Sequence, residues 1–303
     1  MSDNIVSQSD VAASRAGETR ALVFGASGQI GHFLLPLLLA EGVKVEAISR
    51  HARASTEAVL WTQFDAFAAG DAQHRPDLVF SAGPLDGLLA WLARTRHRPQ
   101  RIVAFSSTSA LSKQHSDDAG ESALADHLLR AEAALAAHCE ARGVTGTILR
   151  PTLIYGCGKD ANLSRIVSLA RRWHWLPVPR HAKGLRQPVH AQDLAFGAWR
   201  AACATTRLAK CYEVCGGETL DYTEMVRRTV ACLNPPAHVV RVPSGMFRAG
   251  AWALVRMGRL PGFGASMLRR MGEDLVFSDA AARSDFGWSA RGFHPSVEDF
   301  PKP

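Results

Sequence analysis

Apolar residues are spaced along this chain in two alternating rhythms. Short continuous apolar runs, at Arg20–Phe24, Val43–Ile48, Ala58–Trp61, Leu78–Ser81, Ile102–Ser106 and Thr145–Leu149, read as strands buried on both faces. Between them lie helical patterns. Gln29–Glu41 puts Ile30, Phe33, Leu34, Leu37 and Leu38 on one face, and Leu85–Arg96 and Glu121–Arg142 follow the same period. Strand–helix alternation of this kind predicts parallel strands joined by right-handed crossovers, hence a doubly wound α/β sheet. Pro36 falls inside the first helix, where it removes one backbone bond and is expected to kink it.

Past Arg150 the rhythm changes. Helices are expected at Leu163–Arg172, Gln192–Ala202 and Tyr222–Leu233, separated by proline-containing loops such as Leu176-Pro177-Val178-Pro179. The expected organisation is a polar tail over residues 1–18 and a unit built on the doubly wound sheet over 19–158, to which 187–215 returns. A smaller mixed region over 159–186 and 216–303 covers the substrate. Residues 246–270 read as a core-facing helix of this smaller region. The alternative, given Trp252, Leu254 and Leu260 among arginines, is a helix lying on a membrane surface.

Composition narrows the class. Apolar residues make up 47% and charged residues 21%, enough apolar side chains to build a core. The first residues lack a basic stretch followed by an apolar run, and no run is long enough to span a bilayer, so a cytoplasmic protein is expected. Six cysteines without a CxxC pair or histidines at ligand spacing predict reduced thiols and no metal site. The net charge of +7 suits an anionic small molecule. Its scatter through amphipathic segments argues against nucleic acid.

The chemistry concentrates after the first strand. Gly25, Gly28 and Gly31, with Ser27, Gln29 and Ile30 between them, leave a strand and open a helix. Such glycines permit a tight turn, close approach of a pyrophosphate and close helix–strand packing, with the phosphate at the helix N-terminus. The second strand ends in Ser49-Arg50-His51-Ala52-Arg53, without the acid that would hold an adenosine ribose. Arg50 and Arg53 therefore favour NADP(H) over NAD(H).

With these residues the chain resembles the NAD-dependent epimerase/dehydratase family, the extended short-chain dehydrogenases with a Rossmann domain, over residues 20–295. The resemblance rests on Gly25, Gly28 and Gly31, on Ser81-Ala82-Gly83, on Phe105-Ser106-Ser107-Thr108, and on Leu149-Arg150-Pro151-Thr152 running to Tyr155-Gly156. Pro188-Val189-His190 with Asp193, and Asp274-Leu275-Val276-Phe277 before Phe286-Gly287-Trp288, extend it. It implies that Asp65 meets the adenine, that Ala82, Gly83, Ser106 and Pro151 border the cofactor, and that Thr108 contacts a substrate hydroxyl. A nucleotide sugar as substrate and a homodimer are also implied.

One departure weighs against these matches. The family uses a Tyr-x-x-x-Lys pair to move the proton. Alignment on Ala131-Glu132 puts Leu124 and Leu128 at those positions, and the three tyrosines, Tyr155, Tyr212 and Tyr222, lie off that helix. Tyr155 is the expected substitute acid, ahead of His127. Lys113 reads as an exposed loop residue. Arg165 and Arg186 are candidates for holding a substrate diphosphate. Two readings follow: hydride transfer at a sugar or other secondary alcohol with a non-standard proton donor, or a catalytically silent dinucleotide-binding redox sensor or assembly partner.

Overall fold

The first strand, β1 (Arg20–Phe24), is buried along nearly its whole length, as a run of five residues with no outward-facing alternation requires. In a computed structural model, which describes residues 19–63, 71–206, 208, 210–257 and 265–301, it lies inside a parallel sheet, with strands on both sides. The chain continues through α1 (Gln29–Ala40), β2 (Lys44–Ser49), β3 (Val59–Gln63), β4 (Leu78–Ser81), α2 (Leu85–Leu92) and β5 (Arg101–Phe105). A single turn, α3 (Ser109–Ser112), leads to the long α4 (Ala119–Arg142) and β6 (Thr145–Pro151).

The later elements are β7 (Ile154–Tyr155), α5 (Leu163–Trp173), β8 (Trp175–Pro179), β9 (Leu185–Arg186), β10 (Val189–His190) and α6 (Ala191–Cys203). They are followed by β11 (Cys211–Val214), β12 (Leu220–Asp221), α7 (Tyr222–Ala231), β13 (His238–Val242), α8 (Ser244–Arg256), α9 (Ala265–Arg270) and α10 (Ala280–Phe286).

Seven strands pair in the order β11-β6-β5-β4-β1-β2-β3, all parallel. This is the doubly wound α/β architecture. The order reverses between β1 and β4, and in such sheets the crevice beyond the carboxyl ends of those two strands is where ligands bind. On one side α1 and α6 cover the sheet through Ile30, Leu34, Leu194 and Ala198. On the other, α2 and α4 contribute Leu88, Trp91, Ala131 and Leu135. Helix α1 runs unbroken through Pro36, with Leu34 and Leu38 buried on either side of it. Packing of that apolar face holds the turn that the proline leaves one bond short.

Two charge arrangements fix α4. Asp118 caps its start by accepting from the Gly120 and Glu121 amides at 3.0 and 3.1 Å. Inside the fold, Arg150 on β6 donates to Glu132 of α4 and, at 3.1 Å, to Glu213 of β11, tying three elements together. These hydrogen bonds hold the Arg150 guanidinium well above its ordinary pKa.

A second core gathers Tyr155, Leu163, Val167, Leu176, Met225, Val226 and Phe293. Two small ladders, β8 with β13 and β9 with β12, border it. Of residues 246–270, expected as a core-facing helix, the described parts belong to α8 and α9. On α8 Met246 is 68% and Trp252 66% exposed, while Ala251 is buried. The helical period was legible, and Met267 and Leu268 of α9 do pack against the second core, whereas the large apolar side chains Met246 and Trp252 of α8 stand at the surface. Among the described residues no helix is long and apolar enough to cross a membrane.

Candidate dinucleotide and substrate site

The turn after β1 places three glycines against backbone. Gly25 has φ +70°, and a Cβ there would lie 2.6 Å from the Ala82 carbonyl carbon and 2.7 Å from the Gly83 nitrogen, at the end of β4. A Cβ on Gly31 would lie 2.4 Å from the Ala26 carbonyl oxygen. The Gly28 amide closes the turn on the Gly25 carbonyl at 2.8 Å, and no side chain caps the start of α1. An uncapped helix start beside a backbone cradle at the sheet's switch point is built for a pyrophosphate. Ala82 and Gly83 face this turn across the crevice, while Ile30 is buried beneath it. Three buried side-chain atoms near the strand ends have no hydrogen-bond partner: Gln29 Oε1, Ser81 Oγ and Ser106 Oγ. Buried polar atoms of this kind are costly unless a ligand or water completes them. The residues present therefore fit a dinucleotide.

At the end of β2 the Ser49 hydroxyl accepts from the His51 amide at 3.1 Å, and Arg50 is exposed. Arg53 stacks its guanidinium 4.9 Å above the Trp61 ring. The one carboxylate of this strand, Glu46, is buried and bonded to Thr62 and the Gln73 amide, so it is spent inside the sheet. Asp65 lies outside the described residues.

A cleft of about 1100 Å³ begins at Gln29, Ser106 and Pro151 and extends beneath the smaller region. Thr108 is buried and lines it. Its hydroxyl donates to the Pro151 carbonyl at 3.1 Å, so its lone pairs are left to accept from a ligand. Lys113, one helical turn on, also lines the cleft. Contrary to the expectation of an exposed loop residue, its side chain is only 18% exposed and its Nζ lies 3.6 Å from Glu121 Oε1. Burial, and next the charge of Arg270, push its pKa below the ordinary lysine value. Glu121 is shared: Arg270 pairs with it, and the Ser116 hydroxyl donates to it at 2.8 Å.

Other expected residues stand elsewhere. Tyr155 does not line the cleft; it is packed edge-on between His190 and Phe293 in the second core. Burial drives its phenol far above the usual range, which unfits it as an acid. His127 bonds Asp86 at 2.8 Å on the exposed outside of α2 and α4. Leu124, 41% exposed, and Leu128 both lie off the cleft wall. Arg186 borders the cleft but is 5% exposed, and its guanidinium donates to the carbonyls of Leu185, Glu273 and Arg270 while lying 5.5 Å from the Tyr222 ring. It is a strut of the wall, contrary to the diphosphate role expected for it. Arg165, half-buried on α5, also borders the cleft.

Sequence reasoning passed over Lys159, whose Nζ donates to the Ser27 carbonyl of the glycine turn at 2.7 Å. Its signal was the pair Gly156 and Gly158, both with positive φ, which bends the chain back toward that turn. The cysteines are free, and burial pushes the Cys215 thiol up to about 12, which keeps it protonated. Among the described residues no cluster of potential metal ligands occurs.

No family model matches the chain, and no curated protein matches it by sequence. Solved structures do resemble it. An epimerase from the methanogen Methanothermobacter thermautotrophicus superposes with a TM-score of 0.70 at 15% identity, over 96% of this chain and 91% of that one. The UDP-glucuronic acid 4-epimerase of Bacillus cereus, solved with NAD, gives 0.68 at 13% identity, over 93% and 95%. An NAD-dependent NDP-hexosamine 5,6-dehydratase involved in tunicamycin biosynthesis gives 0.65 at 17%, over 93% and 95%. At these identities the likeness establishes the fold, and the chain has the fold of the NAD-dependent epimerases and dehydratases.

Proposed function

We propose that this protein binds NADP(H) in the crevice between β1 and β4 and transfers hydride at a secondary alcohol or carbonyl carbon held beside Thr108. The observation that carries the reading is the glycine turn, uncapped and closed against Ala82 and Gly83, opening onto a cleft lined by Thr108 and Lys113. Gly25, Ser27, Gly28, Gln29 and Gly31 would hold the pyrophosphate, with Ala82, Gly83, Ser106 and Pro151 along the rest of the cofactor. Ser49, Arg50 and Arg53 would meet the ribose end. The dinucleotide, when bound, supplies or accepts the hydride. Thr108, its own proton committed to Pro151, accepts a hydrogen bond from an alcohol. The proton that a carbonyl oxygen needs comes from the Lys113 ammonium, which regains it from solvent.

Parallel calorimetric titrations with NADPH and NADH test this. NADPH binding at least tenfold tighter than NADH is expected; failure of both to bind removes the reading. Arg50→Glu should weaken NADPH about tenfold, roughly the worth of one charge-assisted contact, and leave NADH nearly unchanged. Lys159→Ala should weaken both dinucleotides by a similar factor of about ten, because its charge sits at the pyrophosphate turn and not at the ribose.

The second reading, a dinucleotide-binding protein without turnover, is favoured by one observation: the residues aligned with the family's proton relay, Leu124 and Leu128, are apolar and off the cleft. It predicts tight NADPH binding with no oxidation in the presence of any carbonyl compound.

A further inference from the structure

The chain has six methionines, and four of them, Met225, Met246, Met267 and Met271, line the cleft. Met225 comes from α7, Met246 from α8 and Met267 from α9, and Met271 follows directly after α9. Opposite them, α5 presents Leu163, Ile166 and Leu169 at helical spacing, and Phe247 and Phe277 complete the wall. Methionine is unbranched and polarisable, and a wall built from it adapts to a flexible apolar ligand. The volume, about 1100 Å³, stands at the upper end of what ligand pockets reach.

A nucleotide sugar would fit this wall poorly. Its diphosphate must be met by cationic donors, and a buried charge left without them is costly. Of the four arginines that border the cleft, Arg186 has its guanidinium on three backbone carbonyls, Arg270 is paired with Glu121, Arg172 is exposed, and Arg165 stands on α5 beside the apolar row Leu163, Ile166 and Leu169. Beyond the Thr108 end, the chamber offers mainly methyl and methylene groups. Met246, at its mouth, is mostly exposed and also lines the interior, so the chamber opens to solvent through an apolar lip.

We infer that the substrate of this site is a long-chain aliphatic alcohol or ketone, its oxygen at the Lys113 ammonium beside Thr108 and its hydrocarbon chain among the four methionines. The inference rests on the hydride-transfer reading for the position of the oxygen, but the chamber's preference for an aliphatic chain can be tested without it. In the reaction, the carbonyl carbon gains the hydride from NADPH, the C–O π pair moves to oxygen, and oxygen takes the Lys113 proton. The products are the secondary alcohol and NADP.

The probes are straight-chain methyl ketones from hexyl to dodecyl, with UDP-glucose as comparator. Binding is read by quenching of tryptophan fluorescence, since Trp173 and Trp175 border the chamber, and is measured with and without NADPH. Affinity should tighten roughly three- to four-fold per added methylene until the chamber is full, the increment expected for burying one methylene. UDP-glucose should neither bind nor compete. Ile166→Glu and Met246→Glu should each flatten the chain-length dependence while NADPH affinity stays as in the wild type. Met246 is so exposed that its replacement does not threaten the fold.

A flat series, or UDP-glucose binding more tightly than the longest ketone, overturns the inference. Chain-length dependence in a protein that fails to bind NADPH upholds the aliphatic chamber and removes the hydride-transfer reading. NADPH binding with a flat series does the reverse.

Discussion

Replacing Lys113 with methionine is expected to lower the rate of carbonyl reduction about a hundred-fold while NADPH affinity holds, the usual worth of a positioned proton donor. Methionine keeps the length and apolar stem of the side chain, so the cleft wall and the turn from Thr108 to Lys113 remain. The pH profile separates a proton donor from a wall residue. Burial and the charge of Arg270 lower the Lys113 pKa below its ordinary value. A general acid must be protonated to act, so the wild-type rate should fall as pH rises through that lowered pKa. In the methionine variant this alkaline limb disappears and the residual rate is flat. Tyr222 also lines the cleft, and Tyr222→Phe serves as the control. Burial raises the Tyr222 pKa, and its ring lies 5.5 Å from the Arg186 guanidinium, so its role is that of a wall. A rate that collapses in Tyr222→Phe and survives in Lys113→Met would reassign the proton to the phenol.

The physical reasons why Lys113 escaped notice in the sequence, while the glycine turn did not, are different in kind. Gly25, Gly28 and Gly31 are read from spacing because each glycine answers a local constraint, a positive φ or a backbone neighbour, that no other residue meets. The strands are equally legible: β1, β4 and β5 are apolar at nearly every position because both faces of the sheet are covered. Lys113 owes its burial to Glu121 on the next helix and to Arg270, far along the chain, and no local pattern announces such a partner.

The same holds for the end of α2 at Leu92, short of the expected Arg96. Past it, the Thr95 hydroxyl and the Trp91 indole both bond Asp71, a tertiary arrangement that sets where the chain leaves the helix. Arg186 shows the opposite error. A charged residue in the cover region suggests an anionic ligand, but the carbonyls of Leu185, Glu273 and Arg270 take its donors first. The methionines lie far apart along the chain, and only the fold brings Met225 and Met246 to the same chamber as Met267 and Met271. Local constraint is legible; convergence of distant segments is not.

Gly25→Ala is expected to cost about 3 kcal/mol of stability, from about 1–2 kcal/mol for a left-handed non-glycine residue and the rest from overpacking. The added Cβ would sit 2.6 Å from the Ala82 carbonyl carbon and 2.7 Å from its oxygen and from the Gly83 nitrogen. These are backbone atoms at the end of a central strand, paired on both sides, so they cannot yield as a side chain would. The strain is relieved by moving the turn away from β4, which opens the cradle and draws the Gly28 amide off the Gly25 carbonyl. Dinucleotide affinity should then fall about a hundred-fold or more, since several backbone contacts to the pyrophosphate are lost together. Chemical denaturation and calorimetry read the two effects separately. The aliphatic chamber lies on the far side of Thr108 from this turn, so a folded Gly25→Ala protein should still bind the long-chain ketones with wild-type affinity. Loss of ketone binding in parallel with NADPH binding would mean that the two sites form one cooperative unit, with the glycine turn supporting the wall at Gln29 and Ser106 as well as the cofactor.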